Sequence, residues 1–256
     1  MTELVWEDHG SFALLRFEGT ERLNAFSSET YASLDRELDI FAREERWKAL
    51  IFTGAGRAFC SGQNLNEAHD ATALSRAALR DRLELLQGLT RRMRALPKVL
   101  IAAVNGPAVG FGAELTLACD IRFANTDAYF MFPELSHGLY FTNATLELLP
   151  AFAGSAQACD LLLSGRRWPA AEAYAAGFVS RLLPDNNLLP EAKRFAAQIA
   201  ASPTEAVAST LSFIRARQSA AVDAALAHEV DTLLQLSAAA PTAQSTAATT
   251  HQRSKP

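Results

Sequence analysis

A chain of 256 residues, 49% hydrophobic and 20% charged, is long enough to bury a substantial core and has the composition of a soluble globular protein. A formal net charge of −4 supplies no global basic field for nucleic acid or an anionic membrane. No apolar run approaches the roughly 20 residues that a membrane helix needs. The opening MTELVWEDHG is acidic and too short in apolar length for a signal peptide, and Cys60, Cys119 and Cys159 have no metal-ligand spacing. Each cysteine sits in an apolar stretch, so the expectation is a cytoplasmic protein with buried, reduced thiols and no metal.

In chain order, Leu4 to Glu7 and Phe12 to Phe17 alternate about a polar turn and predict a hairpin. Ser27 or Ser28 can cap a helix running to about Arg43, and Lys48 to Phe52 predicts a buried strand. A short extended piece, Ala58 to Ser61, leads to a long helix ending near Leu96-Pro97. Its basic stretch, Arg76 to Arg94, is interrupted by Asp81 and Glu84 and reads as a solvated face. Val99 to Val104 is wholly apolar and predicts a central strand. A helix over Gly110 to Ala118 follows, then strands over Asp120 to Ala124 and Ala128 to Met131. Beyond Leu146 the chain reads as helical, apart from a strand near Phe178 to Leu182. The pattern is α/β over residues 1–200, with a helical C-terminal region over 201–256.

Two loops can carry chemistry. Asn105-Gly106-Pro107-Ala108-Val109-Gly110-Phe111-Gly112 joins a buried strand to a helix start, where unpaired N–H groups meet the positive end of the helix dipole. It lacks the Walker Gly-Lys-Ser/Thr and the third glycine of a dinucleotide fingerprint, and tight strand–helix packing alone would also explain its glycines. The loop from Gly54 to Leu65 likewise follows a buried strand, and Asn64 can cap the next helix. Two such loops could converge on one developing oxyanion. Glu114, in the first turn of the glycine-flanked helix, and Glu134, in Phe132-Pro133-Glu134-Leu135, are either structural or a pair whose environments separate an acid from a base. His137 reads as packing or surface.

These residues resemble the crotonase, or enoyl-CoA hydratase/isomerase, superfamily. Arg22-Leu23-Asn24-Ala25-Phe26 is similar to its opening coenzyme A element, and Arg57 to Leu65 to its second loop. Val104 to Arg122, VNGPAVGFGAELTLACDIR, resembles its longest signature, and Leu163 to Arg166 and Ala170 to Val179 resemble two later blocks. The resemblance implies a ββα spiral followed by C-terminal helices that assemble a homotrimer or homohexamer. It also implies an acyl-CoA substrate, with coenzyme A part of that substrate and no separate cofactor. The oxyanion donors would be the N–H groups of Gln63 and Phe111, and the catalytic pair Glu114 and Glu134, which match in position and in their 20-residue interval. Arg22, Asn24, Ala25, Arg57 and Ser61 would contact coenzyme A.

With both glutamates retained, the resemblance implies an enoyl-CoA hydratase, with Glu114 as base and Glu134 as proton donor. Alternatives are an isomerase using Glu134 alone, another crotonase reaction such as hydrolysis or decarboxylation, or an acyl-CoA-binding subunit. Three departures stand out. Asn64 replaces an aspartate, a late-helix lysine is missing near Thr210, and Phe141-Thr142-Asn143-Ala144-Thr145-Leu146 replaces a glycine-rich run beside the acyl pocket. His251 to Pro256 resembles the family's closing motif and implies a helical, ordered tail.

Overall fold

The computed structural model describes residues 2–19, 23–72 and 74–239. Arg22 and the tail beyond 239 therefore lie outside the described residues. The expected hairpin is β1 (Glu3–Asp8) antiparallel to β2 (Ala13–Glu18). It begins a six-stranded sheet in the order β1, β2, β3 (Ala49–Gly54), β4 (Val99–Val104), β6 (Ile121–Asn125), β9 (Arg181–Leu183), parallel from β2 onward. A second sheet orders β5 (Ala108–Val109), β7 (Tyr129–Met131) and β8 (Trp168–Pro169).

β3 and β4 are apolar without alternation because both their faces are covered, and all six residues of each are buried. One face (Leu50, Phe52, Leu100, Ala102, Val104) joins the main core. The other (Ala49, Ile51, Val99, Ile101, Ala103) packs on Leu188, Ala192 and Ala196 of α8 (Asp185–Ala200). Each large side chain buried this way contributes about 1.5–3 kcal/mol. Because β3 and β4 are parallel neighbours, the loops that leave their carboxyl ends emerge side by side. That adjacency sets up the site.

The helices follow their caps. Ser27 accepts from the Thr30 N–H and starts α1 (Ser28–Arg43), whose Tyr31, Leu34, Leu38 and Phe41 form its buried stripe. Asn64 accepts from the Asn66 N–H at 3.1 Å ahead of α2 (Leu65–Thr72), and Ser75 caps α3 (Arg76–Ala95). The basic face of α3 is solvated and ion-paired, with Arg92 on Asp35 and Asp39, but Arg82 departs from it by turning to an internal cavity. α4 (Phe111–Ala118), a 3-10 turn (Glu134–His137), α5 (Thr145–Ala153), α6 (Ser155–Ser164) and α7 (Ala170–Ala175) follow. The chain then runs through α9 (Thr204–Ala216) and α10 (Ser219–Ala239).

Four expectations need correction. Ala58 to Ser61 forms only a single bridge, Cys60 to Ala108. The strand expected at 178–182 begins three residues later, because the N–H groups of Phe178 and Val179 both donate back to the Ala173 carbonyl and hold a turn. The short strand β8 was not foreseen. Cys159 is exposed on the outer face of α6 between the buried Ala158 and Leu161, unlike Cys60 and Cys119, which are buried thiols.

The C-terminal helices divide the work. Val222, Leu226, Val230 and Leu234 of α10 belong to the chain's own core, whereas Phe213 (72% exposed) and Ile214 (60%) of α9 face outward. α9 is tied to the body by Arg215, which pairs with Asp120 at 2.6 Å and donates to the carbonyls of Arg94, Leu96 and Lys98. No helix among the described residues is long and apolar enough to cross a membrane.

Candidate active site

The loops after β3 and β4 meet. The N–H groups of Phe59 and Cys60 donate to the Pro107 carbonyl at 3.1 and 3.2 Å, and Val109 N–H returns a bond to the Cys60 carbonyl at 2.9 Å. Gly112 is required here, since a Cβ on it would lie 2.3 Å from the Cys60 carbonyl oxygen. Gly110 caps α4 at φ +52°, ψ −124°, a conformation that suits glycine alone, and places Phe111 at the first helical position.

Neither the Phe111 N–H nor the Gln63 N–H has an acceptor among the described residues, although the flanking Asn64 N–H and Gly62 carbonyl are both bonded to Phe26. The Phe111 ring is wedged between Tyr31 (ring centroids 4.6 Å) and Phe26 (5.3 Å), which fixes the direction of its N–H. Two rigid donors on adjacent loops can stabilise negative charge that develops on a carbonyl oxygen.

Both loops open on a cavity of about 470 Å³, lined among others by Ser61, Gln63, Phe111, Glu114 and Glu134. Its wall is largely apolar, from Leu79, Leu83 and Leu86 of α3 and Leu233 and Leu236 of α10. The C-terminal region thus contributes directly to the site. The apolar part of this wall lowers the local dielectric and strengthens electrostatic interactions beside it.

Glu114 and Glu134 both reach this cavity but sit in different surroundings. Glu114 accepts four hydrogen bonds: Asn143 Nδ2 and Thr145 Oγ1 at 2.7 Å each, Thr142 Oγ1 at 3.2 Å and Thr142 N–H at 3.3 Å. These use its four in-plane lone-pair positions, two tightly and two loosely. The 141–146 segment, which departs from the family's glycine-rich run, is therefore the cradle of Glu114.

Glu134, by contrast, leaves Oε2 buried with no partner among the described residues, while its Oε1 lies close to Gly110. Burial pushes the Glu134 carboxyl well above the usual carboxylate range, and Glu114 and then Glu229 push it further. Burial thus favours the protonated form of Glu134 more than for an ordinary carboxyl. One carboxyl is saturated with donors, and the other is buried with an unpartnered oxygen and a raised pKa, which is the contrast an acid and a base require.

The residues expected at coenzyme A separate into two groups. Ser61 lines the cavity, and Arg57 is exposed and pairs with no carboxylate among the described residues. Asn24 is instead fully buried at φ +60°, and its Nδ2 donates to the carbonyls of Ala55 (2.9 Å) and Ala58 (2.8 Å). Its side chain holds the second loop in shape rather than facing a ligand. The Ala25 carbonyl is taken by Thr2 Oγ1 at 2.6 Å. His137 is an exposed member of the cavity rim.

Residues that the sequence did not single out include Arg82, whose Nη1 donates to Ser28 Oγ at 2.9 Å, and Glu229 of α10. Glu229 is signalled only by its place on the apolar stripe of Val222, Leu226 and Val230.

A parallel-sheet scaffold that brings two unbonded backbone donors to one cavity, with two carboxyls in contrasting surroundings beside them, is an arrangement able to stabilise an enolate-like anion. Residues 7–253 match the family model described as Enoyl-CoA hydratase/isomerase. The chain is 37% identical over 185 residues to the 1,2-epoxyphenylacetyl-CoA isomerase of Escherichia coli, covering 72% of this chain and 71% of that one. It is 36% identical to a putative enoyl-CoA hydratase of Thermus thermophilus, over 77% and 78% of the two chains. The crystal structure of an enoyl-CoA hydratase/isomerase from Xanthobacter autotrophicus Py2 superposes with a TM-score of 0.85 at 31% identity, over 91% of this chain and 86% of that one. The chain belongs to the enoyl-CoA hydratase/isomerase family, the crotonase superfamily, and is an acyl-CoA-processing enzyme.

Proposed function

We propose that the protein is an enoyl-CoA hydratase. The thioester carbonyl of a 2-enoyl-CoA accepts from the N–H groups of Gln63 and Phe111, which draws electron density from the conjugated double bond. Glu114 takes a proton from water as the water oxygen bonds to Cβ. The charge passes to the thioester oxygen as an enolate held by the two donors. Glu134 then gives its proton to Cα, and the proton left on Glu114 restores Glu134. The observation that carries this reading is the contrast between the two carboxyls in one cavity, because addition of water needs both a base and an acid. The two long Thr142 contacts to Glu114, at 3.2 and 3.3 Å, are the ones water can replace at the cavity face.

One observation favours a second reading. A Glu114 left with all four donors in place handles no water, and Glu134 alone would then shuttle a proton in an isomerase. The Escherichia coli relative is likewise named an isomerase, of an epoxyphenylacetyl-CoA.

Ser61, Arg57, Arg22 and the backbone around Asn24 and Ala25 hold the coenzyme A moiety, with the arginines at its phosphates. The outward Phe213 and Ile214 fit a homotrimeric or homohexameric assembly in the cytoplasm. The test is a panel of enoyl-CoA esters of differing chain length, with products read by mass spectrometry. Hydroxyacyl-CoA products support the hydratase, and positional isomers support the second reading.

A further inference from the structure

We infer that Glu229, on the C-terminal helix, is a positioning residue for the reaction: it fixes the backbone of residues 144–146, and so aims Asn143 and Thr145 at Glu114. This rests on the reading of Glu114 as the group that handles water.

Glu229 is fully buried near the middle of α10 and touches no part of the cavity surface. It accepts from the Ala144 N–H at 2.9 Å and from the Leu146 N–H at 3.5 Å. Ala144 stands at the N-cap of α5, has no side chain that can cap it, and adopts φ +59°, ψ +28°. A non-glycine residue rarely holds that left-handed conformation without outside support. Glu229 therefore acts as the N-cap of α5 from a helix 85 residues away in sequence.

The residues on either side of Ala144 are the two tight ligands of Glu114, Asn143 Nδ2 and Thr145 Oγ1, both at 2.7 Å. Thr90 of α3 fixes the other end of Asn143, with its Oγ1 3.0 Å from Asn143 Oδ1. α10 is itself braced on α3, because Gln87 Nε2 donates to the Leu226 carbonyl at 2.7 Å, one turn before Glu229. The path from α10 to Glu114 thus runs by a hydrogen bond to Ala144, through the backbone of that one strained residue, and by hydrogen bonds from its two neighbours. Leu233 and Leu236, further along the same helix, wall the acyl cavity. A single helix therefore both shapes the pocket and sets the carboxylate.

The test uses the full-length protein with E229L, which fills the volume but accepts nothing, and E229Q, which keeps one acceptor oxygen. Hydration of a 2-enoyl-CoA is compared with deuterium exchange at Cα of a saturated acyl-CoA, which needs Glu134 and the oxyanion donors only. E229L is expected to lower the kcat of hydration by about tenfold or more with KM changed less than about twofold, and to leave exchange within about twofold. E229Q is expected to fall between E229L and wild type. If E229L does not fold, the same split between hydration and exchange is read from E229Q.

A residue that only packs would lower Tm and change both reactions alike per folded molecule, and that result would overturn the proposal. Unchanged hydration in both variants beside an active wild type would overturn it too, and would leave the proposed function standing. A wild-type enzyme that hydrates no enoyl-CoA would remove both.

Discussion

Replacing Glu114 by glutamine separates its chemistry from its structural role. Glutamine keeps the shape and one acceptor oxygen but turns the other into an NH2. With the NH2 in the place of Oε2 it would oppose Asn143 Nδ2, 2.7 Å away, a donor facing a donor. With the NH2 in the place of Oε1 it meets Thr145 Oγ1, a hydroxyl that can rotate to accept, and conflicts only with the long 3.3 Å contact from Thr142 N–H. The second orientation wins, at a cost of about 1 kcal/mol for one weak bond lost. That is about 2–4 °C in Tm for a chain of this length. The lost base is expected to lower kcat at least about 100-fold, with KM nearly unchanged. The assay is steady-state loss of the conjugated enoyl thioester absorbance, with thermal unfolding measured on the same preparation. Full turnover by E114Q would refute the role in water activation and leave isomerisation by Glu134 alone.

Glu134→Gln is expected to cost a similar factor, at least about 100-fold in kcat, with little change in affinity for coenzyme A esters. Because the wild-type acid must carry its proton, the hydration rate should fall as pH rises through the raised pKa of Glu134, above the usual carboxylate range. Burial lifts the Glu229 carboxyl from 4.5 to about 8, with Glu114 adding to the rise and the N–H groups of 144–146 opposing it. The folded chain therefore binds that proton more tightly than the unfolded one. The stabilisation is complete below about pH 4.5 and is lost as pH rises through about 8, by up to the order of 5 kcal/mol. Urea unfolding of E229Q should show this fall flattened, and an identical slope in E229Q and wild type would assign it elsewhere. Alanine at both Arg22 and Arg57 should raise KM for acyl-CoA and spare turnover of a pantetheine thioester that lacks the nucleotide; equal losses on both substrates would count against phosphate contacts. Full-length protein is expected to sediment as a trimer or hexamer, and deletion after Pro203 to leave inactive or insoluble protein, because α10 supplies a cavity wall and core residues. An active full-length monomer at micromolar concentration would refute the assembly.

What the sequence made legible was local. The cap at Ser27, the doubly buried runs of β3 and β4 and the glycines around Phe111 all announce themselves within a few residues. They place Gln63, Phe111, Glu114 and Glu134 around one cavity, as expected from residues and resemblance together. What stayed hidden depends on long-range packing. Nothing near Glu114 says that Thr142, Asn143 and Thr145 turn inward to hold it, although the departure of that segment from the family marks it as unusual.

Glu229 reads as an ordinary helix carboxylate until α10 is seen lying against α5. The apolar surplus of 201–236 cannot be divided by periodicity alone, and only the fold separates the inward α10 from the outward Phe213 and Ile214 of α9. Asn24 belongs to a coenzyme A element by resemblance, yet its side chain is used up in carbonyl contacts that no spacing reveals.

The central claim is tested most directly by isotopic labelling of a turned-over 2-enoyl-CoA in deuterated, ¹⁸O-enriched water, read by mass spectrometry. Addition of water by Glu114 and Glu134 predicts one ¹⁸O at Cβ and one deuterium at Cα in each product molecule. Deuterium exchange with no incorporated ¹⁸O would contradict it.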